Sequence, residues 1–327
     1  MPANLTPQYK EAEDRFRQAE TTEEKIVALE AMLTIIPKHK GTSHLQADIK
    51  TRISKLKKTD EKKSQSSRGM EYNVEKEGGG QVVLVGPPNS GKSKLLSRIT
   101  NAHPEIGDYP FTTQKPLSGM MEYEDIKFQI VDMPPITQEF TEPWMVAVPR
   151  NADACLFVLD MSEGSVLDEI ETTMQVLEKF KLRLWGWDRP APKDEITNGK
   201  TILIANKMDL PDSSDNLDVI REMYADRFPI IETSCETSLG LEEIRQQTFR
   251  MLDVVRTYTK IPGKPANMES PYVIPKGTTV IELATMVHKD LAAKLRFARI
   301  WGEGKPDGIM VSRDHVLEDK DVIELHA

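Results

Sequence analysis

Residues 81–93, QVVLVGPPNSGKS, decide the fold of this 327-residue chain. The run Val82–Val85 is short and apolar, which predicts a buried strand. It leads directly into Gly86–Ser93, which matches the pattern GxxxxGK[ST] between a strand and a helix. In that context the glycines let backbone N–H groups close around a phosphate at the start of the helix. The stretch therefore predicts a nucleoside triphosphate site in an α/β fold.

Each part of this loop has an expected role toward the nucleotide. Lys92 is expected to reach the β- and γ-phosphates, and the Ser93 hydroxyl to ligate Mg²⁺. The predicted contact residues of the loop are Gly86, Pro87, Pro88, Asn89, Ser90, Gly91, Lys92, Ser93 and Lys94. A simple turn between strand and helix would explain the glycines, but it would leave the Lys-Ser pair unexplained.

A second motif indicates which base the nucleotide carries. Asn206-Lys207-Met208-Asp209 follows an apolar run and so lies at the end of a predicted strand. A carboxylate at Asp209 can accept two hydrogen bonds from guanine, whereas adenine presents an acceptor at N1 and would leave it unpaired. Asn206 and Asp209 can also serve as turn-capping residues, but the preceding phosphate loop favours the guanine interpretation. Ser234-Cys235 fits the loop whose backbone N–H reaches guanine O6.

Two further residues are metal candidates. Asp132 ends a predicted strand, where an aspartate holds the water shell of Mg²⁺. Thr113, within the stretch Tyr109–Pro116, is expected to bind Mg²⁺ and the γ-phosphate. The predicted metal ligands are Ser93, Thr113 and Asp132, and the predicted catalytic residues are Lys92 and Thr113. No side chain is a convincing general base.

Strands and helices alternate between residues 81 and 258, which predicts a mostly parallel sheet with helices on both faces. The predicted strands are Val82–Val85, Lys127–Val131, Ala154–Leu159, Thr201–Ala205 and Ile230–Thr233. The predicted helices are Lys92–Thr100, Leu167–Phe180 and Leu241–Tyr258. The sequence thus predicts one nucleotide-binding domain at residues 81–258.

The two ends of the chain differ in sequence pattern from residues 81–258. Residues 1–68 are predicted to be helical, because apolar residues recur at helical spacing in them, as over 26–36. Residues 69–80 end in Gly78-Gly79-Gly80 and are predicted to be a linker. Residues 259–327 contain a capping box from Thr279 to Glu282 and a predicted terminal strand, Asp321–His326. They are predicted to form a small α+β domain.

The formal net charge of −9 hides a segregated distribution. Residues 38–68 carry 10 Lys and Arg side chains against 3 Asp and Glu, whereas residues 69–258 are strongly acidic. The basic segment predicts contact with a polyanion that weakens with salt, although Lys-rich helix ends are often only solvated faces. A protein that coats nucleic acid over its whole surface is excluded by the acidic total.

Other classes of protein are disfavoured by simple counts. Two cysteines do not make a disulfide framework, and the six histidines lack the spacing of a zinc site. No apolar run approaches the length of a membrane span, and the N-terminus lacks a signal core. We therefore expect a cytoplasmic protein with no membrane partner.

At these motifs the chain resembles the Obg-like GTPases, and most closely their developmentally regulated GTP-binding branch. The stretch Ile36–Thr42 resembles that branch's N-terminal region, and Tyr109–Thr113 resembles its first switch segment. The stretch Tyr258–Ala327 resembles a TGS domain, a ubiquitin-like β-grasp module. The resemblance implies GTP and GDP as ligands, Mg²⁺, K⁺ held with the help of Asn89, and a ribosome or RNA partner reached through both end regions. A protein regulator is a further expected partner.

Departures from the family pattern affect the second switch segment. The family motif DxPG reads Asp132-Met133-Pro134-Pro135 here. The glycine at the last position normally gives its N–H to the γ-phosphate, but Pro135 has none. Ile136 stands where Ras-like proteins have a water-orienting glutamine, and the glycine-rich stretch expected after it is missing. The inserted domain of some relatives is also absent.

Three functions remain open at this point. The first is a slow, Mg²⁺-dependent GTPase switch associated with the ribosome or RNA, which the intact Lys92, Ser93, Thr113 and Asp132 favour. The second is a guanine-nucleotide-binding scaffold with little or no hydrolysis, which Pro135 favours. The third is an ATPase of the related TGS-containing type, which Asp209 disfavours because that group resembles an NxxE pattern.

Overall fold

A computed structural model of the chain describes residues 22–36, 49–55, 74–100 and 116–326. Much of the predicted helical region at residues 1–68, most of the basic segment and Thr113 lie outside these residues. The chain divides into two compact units, residues 1–73 and 74–327. In the first unit, helix α1 (Thr22–Ile35) and helix α2 (residues 49–55) bury a small core of Leu29, Met32, Ile36 and Ile49.

The larger unit contains a seven-stranded sheet. Its strands are β1 (Gln81–Val85), β2 (Leu117–Tyr123), β3 (Ile126–Asp132), β4 (Ala154–Asp160), β5 (Leu182–Gly186), β6 (Thr197–Asn206) and β7 (Ile230–Glu232). They lie in the order β2-β3-β1-β4-β6-β5, with β7 also paired to β6. The pair β2–β3 is antiparallel and the other pairs are parallel. The mostly parallel sheet predicted from the sequence is confirmed.

Helices cover both faces of this sheet. They are α3 (Lys92–Ile99), α4 (Pro143–Asn151), α5 (Val166–Lys179), α6 (Ser213–Tyr224) and α7 (Leu241–Leu252). Side chains of α4, α5 and α6 pack in one core, and side chains of α3 and α7 pack in the other. Strand β1 is buried along its whole length because it lies in the middle of the sheet. Its carboxyl end therefore opens at the centre of one sheet edge.

A second sheet follows α7. Its strands are β8 (Val254–Thr259), β9 (Tyr272–Pro275), β10 (Phe297–Trp301), β11 (Ile309–Val311) and β12 (Asp321–His326), in the order β11-β10-β12-β8-β9. Helices α8 (Val280–Val287) and α9 (Lys289–Lys294) join β9 to β10. Glu282 accepts a hydrogen bond from the backbone N–H of Thr279, so the predicted capping box is confirmed. The small α+β domain is thus a five-stranded sheet with its own core.

A buried arginine joins the two sheets. Arg256, in β8, is 2% exposed. Its guanidinium bonds to both oxygens of Asp319, at 3.0 and 2.6 Å, and to Asp125 Oδ1 at 3.0 Å. It also contacts Glu124, which with Asp125 forms the turn between β2 and β3. These carboxylates raise the pKa of Arg256 above its usual value. The turn of the first sheet is therefore fixed to the second.

At the domain ends the structure differs from one predicted helix and shows which elements lie at the two predicted boundaries. The helix predicted over residues 241–258 ends at Leu252, because Asp253 adopts a left-handed conformation and Val254–Thr259 is rich in residues that favour strands. The boundary predicted after residue 258 thus falls inside strand β8. The glycines at the end of the predicted linker are packed rather than free, since Gly79 N donates to Lys127 O at 2.8 Å beside β3.

The sequence also left several elements unpredicted: strands β2 and β5 and helices α4 and α6 of the first domain, and strands β8 to β11 and helix α9 at the second sheet. Helix α4 lies in the segment after Ile136, where the sequence lacks the glycine-rich stretch expected of the second switch. Of the helices described, none is long and apolar enough to cross a membrane.

Candidate functional site

The phosphate loop joins β1 to α3 and is built on two glycines. Gly86 has φ of 152°, and a Cβ there would lie 2.3 Å from Val158 O on the neighbouring strand. Gly91 has φ of 91°, and a Cβ there would lie 2.3 Å from Asn206 Nδ2. Larger residues would displace the loop from β4 and β6. The loop can therefore approach the sheet edge only with glycine at both positions.

Lys92 is a buried cation held by oxygen atoms that carry no charge. Its Nζ donates to Pro87 O at 2.6 Å, to Gly86 O at 3.1 Å and to Ser90 Oγ at 3.3 Å. No carboxylate among the described residues lies within ion-pair distance of it. Burial lowers the pKa of Lys92 to about 8, although Asp132 and Glu169 at longer range oppose the shift. An anion at this point would relieve the cost of burying the charge.

Ser93 and Asp132 form a pair of oxygen ligands. Ser93 Oγ donates to Asp132 Oδ2 at 2.5 Å, while Asp132 Oδ1 is buried and has no hydrogen-bond partner. Burial raises the pKa of Asp132, and the Ser93 hydrogen bond and nearby Lys92 partly oppose this. A hydroxyl beside a carboxylate with an unpartnered oxygen suits a hard cation such as Mg²⁺. Of the described residues, no group of three His, Cys, Asp or Glu side chains converges as a metal site.

A cavity of about 670 Å³ opens between these residues. Its lining residues are Pro88, Asn89, Gly91, Lys92, Ser93, Lys94, Met133, Pro135 and Lys207. Asn89 lies at the rim with φ of 58°, a left-handed conformation that asparagine tolerates. The cavity thus brings the predicted phosphate loop together with Lys207 and with Pro135, the residue that replaces the glycine of the family motif.

Asn206 links the phosphate loop to the predicted base loop. Its Nδ2 donates to Ser90 O at 2.9 Å, and its Oδ1 accepts from the Cys235 thiol at 3.6 Å. Asn206 is 2% exposed, so both ends of its amide are used inside the protein. Burial raises the pKa of Cys235 to about 11, which keeps the thiol protonated as a donor. Asn206 therefore holds the two loops in register.

Asp209 and Ser234 meet at the outer side of the same loops. The Ser234 hydroxyl donates to Asp209 Oδ1 and accepts from Thr237 N at 3.1 Å. Ser234 is fully buried, whereas Asp209 is exposed. The carboxylate of Asp209 is thus oriented by a rigid neighbour while it faces solvent, as a group that binds a ligand requires.

Sequence reasoning missed Asp160, which ends β4 beside β6. This carboxylate is 2% exposed and forms an ion pair with Lys207. It also accepts from Ser162 N and Ser162 Oγ, at 2.9 and 2.7 Å. An aspartate at the carboxyl end of an apolar strand next to the Asn206–Asp209 motif is the signal that could have revealed it. Asp160 holds the Lys207 side chain in place at the cavity.

The segment after Asp132 forms one wall of the cavity. Ile136 N donates to Gly86 O at 3.1 Å, and the side chains of Met133 and Ile136 are 2% and 1% exposed. Pro135 lies between them and faces the cavity. This wall therefore offers apolar and proline surface where the family pattern has a glycine N–H.

Comparison with known proteins gives two domain matches. Residues 81–207 match the model of the 50S ribosome-binding GTPase family, and residues 255–327 match the TGS domain. An uncharacterized GTP-binding protein of Halobacterium salinarum is 28% identical, over 93% of this chain and 99% of that protein. Developmentally-regulated G-protein 1 of Arabidopsis thaliana is 26% identical, over 92% of this chain and 90% of that protein.

One solved structure also matches most of the chain. A GTP-binding protein from Pyrococcus horikoshii superposes with a TM-score of 0.50 at 15% identity, over 76% of this chain and 99% of that one. This likeness shows the fold.

Proposed function

Because the chain is a GTP-binding protein of the developmentally regulated, Obg-like type with a C-terminal TGS domain, we propose that it binds GTP and GDP in the cavity beside Lys92 and hydrolyses GTP slowly. The observation that carries this proposal is the state of Lys92. A buried ammonium that has only neutral oxygen partners and lines a cavity is poised for an anionic ligand. Phosphate groups fit that requirement.

The phosphate side of the site divides its work among three kinds of group. Backbone N–H groups of the loop from Gly86 to Lys94, apart from Pro87 and Pro88, surround the β-phosphate, and Lys92 neutralises charge on the β- and γ-phosphates. Ser93, Asp132 and Thr113 would hold Mg²⁺, which when bound neutralises phosphate charge. The unpartnered Asp132 oxygen supports this assignment. Asn89 would help hold K⁺ against the same phosphates.

The base side recognises guanine. Asp209 accepts from guanine N1–H and N2–H₂, and the backbone N–H of the Ser234–Cys235 loop donates to O6. Lys207, fixed by Asp160, covers the plane of the base with its aliphatic stem. Asn206 acts by joining the loops and is a positioning residue. The exposure of Asp209 beside buried Ser234 supports these roles.

In hydrolysis, water attacks the γ-phosphate, and Lys92 stabilises charge that develops on the phosphoryl oxygens. No described side chain is in place as a general base, and Ile136 lies buried where a water-orienting glutamine would be needed. Slow turnover follows from that arrangement. The same observation, with Pro135, favours a second candidate, a guanine-nucleotide-binding scaffold with little or no hydrolysis.

We further propose that the ribosome or an RNA is the macromolecular partner and that the protein acts in the cytoplasm. The basic segment at residues 38–68 would contact phosphates, and the TGS domain would supply a second surface. The description of the matching GTPase family, which names 50S ribosome binding, supports this choice. A protein regulator would act on the slow nucleotide cycle.

The test is release of inorganic phosphate from GTP, measured in K⁺ and in Na⁺, with and without ribosomes. Lys92→Ala supplies the background. We expect slow turnover above that background and stimulation by K⁺. No turnover above background in any condition would leave the scaffold function in place of the GTPase. Competition of unlabelled ATP and GTP against labelled GTP checks the base, and equal competition by ATP would contradict the assignment of Asp209.

A further inference from the structure

Positions 134–136 of the cavity wall have no backbone donor to offer a phosphate. Pro134 and Pro135 carry no N–H, and the N–H of Ile136 is already bonded to Gly86 O at 3.1 Å. Three consecutive positions therefore lack a free donor next to Lys92 and Ser93. A γ-phosphate on this side would meet proline rings and apolar side chains.

Two buried side chains hold this wall in place. Met133 and Ile136 belong to the same core as Val85 and Val131 of the central strands. Turning the Ile136 N–H toward the cavity would break its bond to Gly86 O and pull the Ile136 side chain out of that core. Both changes oppose movement of the wall, because the buried donor and the apolar surface would each lose their partner.

The residues that follow this wall are hydrogen-bonded to one another. Thr137 N donates to Thr141 Oγ1 at 3.0 Å, and Thr141 Oγ1 donates to Thr137 O at 2.6 Å. Helix α4 then begins at Pro143. Phe140 is left at the tip of this loop with 75% of its surface exposed. The loop is therefore built from local bonds that require no nucleotide.

From these contacts we infer that residues 133–142 do not sense the γ-phosphate, and that Pro135 is the residue responsible. This inference rests on the proposed binding of guanine nucleotides. A ligand shifts a conformation only through contacts that differ between two states, and positions 134–136 have no free backbone donor with which to make such a contact to a γ-phosphate. The wall accordingly adds nothing to a preference for GTP over GDP, and any such preference arises from Lys92, Thr113 and Mg²⁺.

The experiment measures dissociation constants of GDP and GTPγS with Mg²⁺ on the full chain, for the wild type, Pro135→Ala and Pro143→Ala. Alanine at 135 restores an N–H at the wall, whereas Pro143 lies at the first turn of α4 and serves as the matched control. We expect the ratio of the two dissociation constants to be the same for the wild type and for Pro143→Ala. One charge-assisted hydrogen bond gained by Pro135→Ala should favour GTPγS by about tenfold.

Hydrogen–deuterium exchange of peptides covering residues 133–142 supplies a readout that does not depend on a variant. Equal exchange with GDP and GTPγS is expected for the wild type. Nucleotide-dependent exchange in these peptides would overturn the inference. An unchanged ratio in a folded Pro135→Ala chain would overturn the role of Pro135. Failure to bind either nucleotide would instead contradict the proposed function.

Discussion

Lys92 and Arg256 are both buried cations, and their surroundings differ completely. Arg256 contacts three carboxylates, from Glu124, Asp125 and Asp319, and its guanidinium carbon lies 5.0 Å from the centroid of the Phe249 ring. Lys92 contacts two carbonyl oxygens and one hydroxyl. The pKa shifts have opposite directions, since the acidic partners raise that of Arg256 and burial lowers that of Lys92.

The difference separates a structural cation from a cation that awaits a ligand. Burying a charge costs free energy unless an opposite charge and hydrogen bonds compensate it. Arg256 is compensated within the chain, so it joins two domains. Lys92 is compensated in part, and the remaining cost is recovered when an anion binds. The chain thus carries its structural and its functional electrostatics in separate places.

The largest expected effect is on nucleotide affinity in Lys92→Met. Loss of a buried charge-assisted partner should weaken GDP binding by about 1,000-fold, or about 4 kcal/mol. The same change should leave the stability of the nucleotide-free chain equal or higher, because an uncompensated charge is removed. Isothermal titration and urea unfolding measure the two quantities. The control is Lys76→Met, at an exposed lysine outside the cavity. A large loss of stability in Lys92→Met would contradict the view that the charge of Lys92 is only partly compensated.

Arg256→Met should act in the opposite way. It removes the cation that joins Glu124, Asp125 and Asp319, and because these carboxylates are partly exposed the loss should be about 1.5–3 kcal/mol of unfolding free energy. GDP affinity should change little, because Arg256 contacts the turn that precedes β3, whereas Asp132 is the last residue of that strand. Lys320→Ala, which removes a partly exposed ion pair with Glu124, should cost less than about 1 kcal/mol. Equal losses of unfolding free energy in Arg256→Met and Lys320→Ala would contradict the role of Arg256 in joining the two sheets.

A smaller effect is expected from pH on the nucleotide-free chain. The pKa of Lys92 is about 8 when folded and 10.5 as the unperturbed value, so between these values the unfolded chain binds more protons. The contribution of Lys92 to the unfolding free energy therefore rises with pH, by about 2 kcal/mol from pH 7 to 9.5.

GDP affinity should fall over the same range, because a neutral lysine does not attract phosphate. The measurement is the difference between wild type and Lys92→Met in urea unfolding at several pH values, since other groups titrate in both chains. Parallel stability curves for the two would contradict the lowered pKa.

Much of the nucleotide domain could be predicted because its signals are local. Apolar runs followed by glycine or polar motifs indicate strands whose loops meet at one sheet edge, and this placed the Lys92 loop beside the Asn206 and Asp209 motif. Strand β2 was missed because it is an edge strand of mixed burial, with neither alternation nor an apolar run. Helix α4 was missed because prolines at its start and within it weaken the helical pattern.

Other features depend on contacts distant in the sequence. Arg256 meets residues near 124 and 319, and nothing in a local window of sequence pairs them. Asp160 was missed for the same reason, since its partner Lys207 directly follows β6, the neighbouring strand of the sheet. The order of strands in space, rather than any motif, creates both sites.

The single residue between α7 and β8 has a consequence for how the protein can be divided. Asp253 alone separates the last helix of the first sheet from a strand that lies between β12 and β9 of the second. A chain ended after residue 258 would keep this strand without its neighbours, as an unpaired edge prone to aggregate. A chain ended before it would leave Glu124 and Asp125 facing water. No loop between the two domains allows them to be separated. We therefore expect them to be gained and lost together in evolution and to unfold together.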